Sequence, residues 1–387
     1  MMYDIYSDIA LLEDCHNNLE IGTKAKNIKI IKEQGGCLIP KTLILKTRIF
    51  NQLLIENQVT DPLAYNWSKF KISHKYREII FERINREFNN KPLVIRSSTT
   101  CEDSPLLSFA GQYSSFVNIS GGKKINILEA ITLCYQSLFS DNAKVYAKMN
   151  GIGLEHESMA IIIQELIPVS IGGILFTVDP INHDDEVMIA EYTRGFGDSV
   201  VSGRKKPIRK EIKKSKIDNL KAVFLKKLVK NVLNLERVFG NPQDIEWGWD
   251  GKKIYIFQSR NITTLNKHPK IINYHFNKNK IISEGTIACE GITDGFLKII
   301  NDNSDYAKLK KGDIAFVKSN PSIVLFRKIP FINGLIINGG ILSHTAVIAR
   351  EFNVPCLVEP EITNGKIENY KNKKIILDTI KGKILLT

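Results

Sequence analysis

One histidine in this chain stands where it could do chemistry. In NGGILSHTAVIAREFNVP, residues 338–355, a Gly-Gly pair leads through Ile341, Leu342 and Ser343 into His344. An apolar run, Ala346 to Ala349, follows at once, so the segment predicts a helix over 344–353 with the histidine at its mouth. At a helix start the backbone N–H groups and the dipole favour negative charge. A histidine is more often structural than catalytic, and the other six lack this setting.

Four further patches carry groups suited to a nucleotide. In GTKAKN, Gly22–Asn27, Lys24 stands at a helix start, a poor place for the helix but a good one for a phosphate. In VIRSSTTCEDSPLLSFAGQYSSF, residues 94–116, a strand delivers Arg96 into the hydroxyls Ser97, Ser98, Thr99 and Thr100. Glu102 and Asp103 follow, then the small-residue loop Ser108–Gln112. Arginine with several hydroxyl and backbone donors in one turn is what a polyphosphate needs. In the stretch 164–203, Gln164–Glu165–Leu166 closes an apolar strand whose edge backbone groups suit an adenine ring, and Gly195 and Gly197 permit close approach to a ligand. In QDIEWGWDGKKIYIFQSRNIT, residues 243–263, period two puts Asp244 with Glu246, and Gln258 with Arg260, on single strand faces. Carboxylates with an amide oxygen suit octahedral Mg²⁺, and the arginine suits the phosphates that accompany it. Taken alone, this last patch equally describes a hairpin with a cross-strand salt bridge.

These residues need a large scaffold. At 387 residues the chain suits two or three domains. No stretch approaches the ~18–20 uninterrupted apolar residues of a membrane span. Six scattered cysteines without a CxxC pair argue for reduced thiols, and the acidic N-terminal stretch does not read as a secretory signal. The expectation is a cytoplasmic protein with no membrane partner. The net charge of +13 resides in lysine-rich stretches such as 204–230 and 266–280, which lack the interleaved aromatics of a nucleic-acid groove. Nucleic acid ranks last among partners.

Along the chain, helices are expected over Ala25–Glu33, within 70–90, over Lys124–Lys148 and over Asp218–Phe239. Strands are expected at Cys37–Leu45, Leu93–Arg96, 158–167, 173–179 and Ile254–Gln258. A polar link, 265–280, separates this part from short β-like segments at 312–318, 334–337, 355–358, 374–378 and 384–386. The organisation is α+β: a large domain over 1–264, a linker over 265–280 and a small domain over 281–387.

In this order the patches resemble the phosphoenolpyruvate synthase and pyruvate phosphate dikinase superfamily, which includes rifampicin phosphotransferases. GTKAKN is similar to that family's GGKxxN turn, VIRSSTTCEDSPLLSFAGQ to its VRSSxxxED…SFAGQ element, and NGGILSHTAVIAREFNVP to its GGxxSHAAIVARExxIPAV signature. FTVDP, GFGDSVVSG and DIEW…QSR fill the remaining places. The resemblance implies an ATP-grasp nucleotide-binding domain followed by a swivelling β/β/α phosphohistidine domain, with 265–280 as tether. It implies Lys24, Arg96 and Arg260 on ATP phosphates, Gln164 and Glu165 beside the nucleotide, and Glu246 and Gln258 on Mg²⁺ with Asp244 in support.

His344 would attack the β-phosphoryl of ATP, split one difficult transfer into two and pass the group onward, with AMP and phosphate as products. Two positions depart from the family pattern. Asp198 stands where glutamate is usual, and Leu342 stands where dikinases often carry a regulatory threonine two residues before the histidine. Neither a phosphoenolpyruvate barrel nor a rifampicin-binding domain is visible, so the acceptor is a small molecule of unknown identity or a site on a partner subunit. A nucleotide-binding regulatory protein without turnover is the competing expectation.

Overall fold

A computed structural model describes residues 5–100, 113–197, 200, 206–263, 269–272, 281–318, 323–361 and 367–387. Several residues singled out above lie outside that set: Glu102, Asp103, the loop Ser108–Gln112, Asp198, and residues 265–268 and 273–280 of the link. The chain forms two compact units. The first comprises Met1–Val169, Lys230–Val238 and Trp249–Asn261; the second comprises Ser170–Val229, Phe239–Gly248 and Ile262–Thr387.

The first unit is built on a five-stranded antiparallel sheet in the order Ile9–Leu11, Thr42–Leu45, Met159–Glu165, Leu93–Thr99, Ser115–Ile119. Its central strand, MAIIIQE, is buried along most of its length, which explains an apolar run without alternation. The expected helices over 25–33 and 70–90 occur as Gly22–Glu33 and His74–Phe88. The expected helix over 124–148 is two helices, Lys124–Ser137 and Asp141–Met149. Ser140 starts the second, its side chain accepting from Ala143 N at 3.3 Å, so a new N-cap wins over continuous apolar periodicity.

Helix Gly22–Glu33 packs against both strand Leu93–Thr99 and strand Ile254–Asn261. Ser98 fastens it: its Oγ accepts from Ala25 N at 3.0 Å and donates to Ile21 O at 2.8 Å. Gly22 has φ +70°, and a Cβ there would fall on the Ser98 backbone carbonyl. Only glycine accommodates both the left-handed turn and the close approach.

In the second unit, strands Gln243–Trp249, Ile171–Phe176, Val187–Arg194 and Ile208–Lys213 lie side by side in that order. The remainder is a ring of strands. Gly291–Ile300, Ile314–Val317, Gly334–Ile337 and Cys356–Glu361 run parallel. Ile281–Cys289, Lys383–Leu386 and Lys374–Asp378 continue antiparallel, and the last pairs back onto Gly291–Ile300, closing the circuit. Ile282, Leu297, Ile314, Phe316, Leu357 and Leu377 belong to the buried core of these strands. Helix His344–Glu351 follows strand Gly334–Ile337 and precedes its parallel neighbour Cys356–Glu361, forming a β–α–β unit. The helix packs on Cys356–Glu361 and Ile281–Cys289.

Candidate active site

The site residues expected from sequence divide between the two units. Lys24, Arg96, Gln164, Glu165, Gln258 and Arg260 belong to the first, and Asp244, Glu246 and His344 to the second.

In the first unit, strand alternation turns Arg96 and Ser98 to one face. Their strand packs against the helix bearing Lys24, and that helix packs in turn against the strand bearing Gln258 and Arg260. Arg96 Nη1 donates to Gln258 Oε1 at 3.2 Å, which brings together an arginine and an amide 162 residues apart in sequence. Asn27 Nδ2 donates to Ser259 O at 3.0 Å, tying the Lys24 helix to the same strand. Lys24, Gln258 and Arg260 are buried, so three polar groups and the half-buried Arg96 are held on a prepared surface.

Two details of the expected phosphate and adenine surfaces are corrected. The hydroxyls after Arg96 do not form a polar turn, because the strand continues through Thr99 and buries Ser97, Ser98 and Thr99. Ser98 spends its hydroxyl on the helix start and Thr100 donates its hydroxyl to the Glu157 carboxylate. The strand ending in Gln164–Glu165 is not an edge strand either, being flanked by Thr42–Leu45 and Leu93–Thr99. Glu165 N donates to Lys41 O at 3.0 Å and Leu166 N to Pro92 O at 2.9 Å, leaving neither N–H for a base. The Gln164 amide donates to Thr42 Oγ1 at 3.0 Å, and Lys91 Nζ donates to Glu165 Oε1 at 2.8 Å.

In the second unit, Asp244 is buried and Glu246 half-buried on one strand, two residues apart and hence on one face. His344 is the first residue of its helix and is half-buried. Ser343 is the N-cap in extended conformation (φ −63°, ψ 153°), its side chain accepting from Ala346 N at 3.4 Å. The histidine thus follows the loop that leaves the carboxyl end of a parallel strand and opens the helix at its electropositive end. Arg350, buried near the end of that helix, donates through Nη1 to Ile341 O at 2.8 Å and to Ala288 O at 2.9 Å. Burial pulls its guanidinium below the ordinary arginine value, opposed by the nearby Cys289, Cys356, Glu191 and Asp244. The Phe176 ring lies 5.9 Å from its Cζ.

Sequence reasoning missed Glu191. This residue is fully buried in strand Val187–Arg194. Its Oε1 accepts from Arg209 Nε at 2.8 Å and from Ile341 N at 3.0 Å, and its Oε2 accepts from Leu342 N at 3.0 Å. The two glycines before His344 therefore do different work. Gly339 takes φ +125°, whereas a Cβ on Gly340 would fall on the Glu191 carboxylate. The signal was present in MIAEY, where one carboxylate interrupts an apolar strand and must find partners when buried.

The family model of the pyruvate phosphate dikinase AMP/ATP-binding domain matches residues 69–224 and 208–280, more than half of the 387 residues. That of the PEP-utilising enzyme mobile domain matches residues 310–382. The chain belongs to the superfamily of PEP-utilising enzymes. Within it, the chain joins a nucleotide-binding part of the pyruvate phosphate dikinase kind to a mobile-domain part.

It is 29% identical over 316 residues to a probable phosphoenolpyruvate synthase of Archaeoglobus fulgidus, covering 72% of this chain and 41% of that protein. Against a probable phosphoenolpyruvate synthase of Methanocaldococcus jannaschii, identity is 32% over 258 residues, 57% of this chain and 22% of that protein. Against the rifampicin phosphotransferase of Bacillus cereus, identity is 29% over 306 residues, 65% of this chain and 35% of that protein. The chain thus matches less than half the length of each of these relatives. No helix among the described residues is long and apolar enough to cross a membrane.

Proposed function

We propose that the chain is an ATP-dependent phosphotransferase that carries a phosphoryl group on His344. The observation that carries this reading is the placement of His344. It is the first residue of an N-capped helix, after the carboxyl end of a parallel strand, in a chain whose other part is of the dikinase nucleotide-binding kind. The imidazole attacks the β-phosphorus of ATP and AMP departs. Attack of water on the γ-phosphorus of the resulting pyrophosphoryl group releases inorganic phosphate and leaves one phosphoryl group on the ring, poised for transfer to the acceptor.

The first part is read as an ATP-grasp fold. Lys24, Arg96 and Arg260 hold the polyphosphate, and Gln164 and Glu165 lie beside the nucleotide. Exchange of the Arg96–Gln258 bond for a phosphate frees the amide oxygen of Gln258 for a cation. The donor set suits Mg²⁺: Asp244 and Glu246 offer oxygens from one strand, and this ion is commonly held by one or two carboxylates with substrate phosphates and water. An Mg²⁺ held by these oxygens would supply positive charge against that developing on the phosphates. The division into a donor domain over 1–264, a tether over 265–280 and a carrier domain over 281–387 belongs to the same reading, as does a cytoplasmic location. The acceptor is a small molecule or a site on a partner subunit.

Incubation with ATP labelled at the β-phosphate tests the reading. Acid-labile label is expected on the wild-type protein and none on His344→Asn. Equal labelling of the two proteins, or ATP binding with neither label nor AMP, would sink it and leave a nucleotide-binding protein without turnover.

A further inference from the structure

The carboxylate of Glu191 grips the backbone immediately before His344, and nothing in the proposed chemistry uses it. Two successive amides, Ile341 N and Leu342 N, converge on its two oxygens, each at 3.0 Å. Successive N–H groups aimed at one anion form a nest, a small concavity of positive potential. The anion filling it belongs to the protein. Gly340 has no side chain where the carboxylate lies, so the loop is shaped to admit it.

Charge decides that this contact is more than packing. A carboxylate with no exposure to water needs compensation, because an uncompensated buried charge is costly. Arg209, on the neighbouring strand and in register with Glu191, supplies it: Nε and Nη2 both stand 2.8 Å from Oε1. The ion pair and the loop contact have separate partners. Arg209 can therefore keep the carboxylate neutralised when the loop leaves, so the loop bonds can form and break without stranding a charge.

The strand of Glu191 belongs to the same sheet as Gln243–Trp249, which bears Asp244 and Glu246. We infer that Glu191 is a positioning residue, which, braced by Arg209, clasps the histidine loop onto that sheet and fixes His344 for the step in which it accepts the phosphoryl group. This inference rests on His344 being the residue phosphorylated. Arg350 reinforces the clasp by donating to Ile341 O.

Two readouts test it. Glu191→Gln keeps the shape but turns an amide NH₂ toward one of the two loop N–H groups, and Gly340→Ala breaks the same contact from the loop. In the wild type the Ile341 and Leu342 amides should be protected from hydrogen exchange, and in both variants they should exchange at least about tenfold faster. The rate of label transfer from ATP at saturation should fall by roughly 10- to 100-fold, with the half-saturating ATP concentration unchanged. The double variant should be no slower than the slower single variant, since both remove one contact.

Amides unprotected in the wild type, or variants that label at the wild-type rate, would overturn the clasp. If the strand cannot tolerate Glu191→Gln, Gly340→Ala alone decides. Should wild-type His344 fail to label, the positioning role falls with the proposed function, while protection of the two amides still shows whether the clasp exists.

Discussion

Two places in this protein hold a charged group with its partners, and they do so in opposite ways. On the face of the first unit, a charged side chain, Arg96, is held by a neutral amide, Gln258, through one bond of 3.2 Å. At the histidine loop of the second unit, backbone amides are held by a charged carboxylate at 3.0 Å, and a guanidinium at 2.8 Å neutralises that carboxylate in turn. A bond from arginine to a neutral acceptor yields readily to a phosphate, because the charge-assisted bond is stronger. A buried carboxylate with all its donors present does not yield readily. The first arrangement is suited to receiving a ligand, the second to holding a piece of the chain in place.

The comparison breaks most visibly at Arg96. Arg96→Ala removes the guanidinium and is expected to slow label transfer from ATP at least about 100-fold, with loss of ATP affinity measured by calorimetry. Arg96→Lys should recover only part of this, since a point charge does not replace a planar fork. Next comes the turn that sets the Lys24 helix. Gly22→Ala meets both a left-handed φ and the Ser98 carbonyl, and should cost about 2–3 kcal/mol in denaturant unfolding of the first unit.

Ser343→Ala removes the N-cap of the histidine helix and is expected to lower stability by about 1 kcal/mol. Label transfer should slow less in Ser343→Ala than in Gly340→Ala if the loop is fixed mainly by Glu191. The smallest effect is expected at Lys91→Ala. Its pair with Glu165 involves a lysine more than half exposed, so stability should change by less than ~1 kcal/mol and diminish further in salt.

Thiol chemistry offers a check on both regions at once. Burial pushes Cys15 and Cys37 up to about 11 and Cys134 up to about 12, and it raises Cys356 as well. Protonated thiols react slowly, so at pH 8 these four should modify only on unfolding. Rapid modification of Cys134 would report loosening of the first unit, and of Cys356 loosening of the strand ring.

What the sequence made legible follows the range of the interactions. Helices with a clear apolar stripe, such as His74–Phe88, and short buried runs such as Met159–Glu165 are visible because burial imposes periodicity locally. The strands Ile281–Cys289 and Gly291–Ile300 were not expected. IISEGTIAC and GITDGFLKII mix charge, glycine and apolar residues, and their antiparallel pairing with partners far along the chain, such as Glu284 with Glu361 and Ile292 with Asp378, decides their state. Lys24, Arg96, Gln258 and Arg260 were named from motif and spacing, and the meeting of Arg96 with Gln258 had to await the fold. Glu191 went unnamed because its meaning comes from amides 150 residues further on. Ser98 was read as a phosphate donor because a hydroxyl's partner cannot be told from its neighbours in sequence.

The closed circuit of strands behind His344 has a further consequence. Gly291–Ile300 pairs with Ile314–Val317 on one side and Lys374–Asp378 on the other, and each remaining member of the circuit likewise has two neighbours. An open sheet that shuttled between binding surfaces would repeatedly bare a row of unpaired backbone groups, a template for joining to other chains. A closed one bares none. On the proposed function, the part of the chain that carries the histidine would move between binding surfaces without baring such a row.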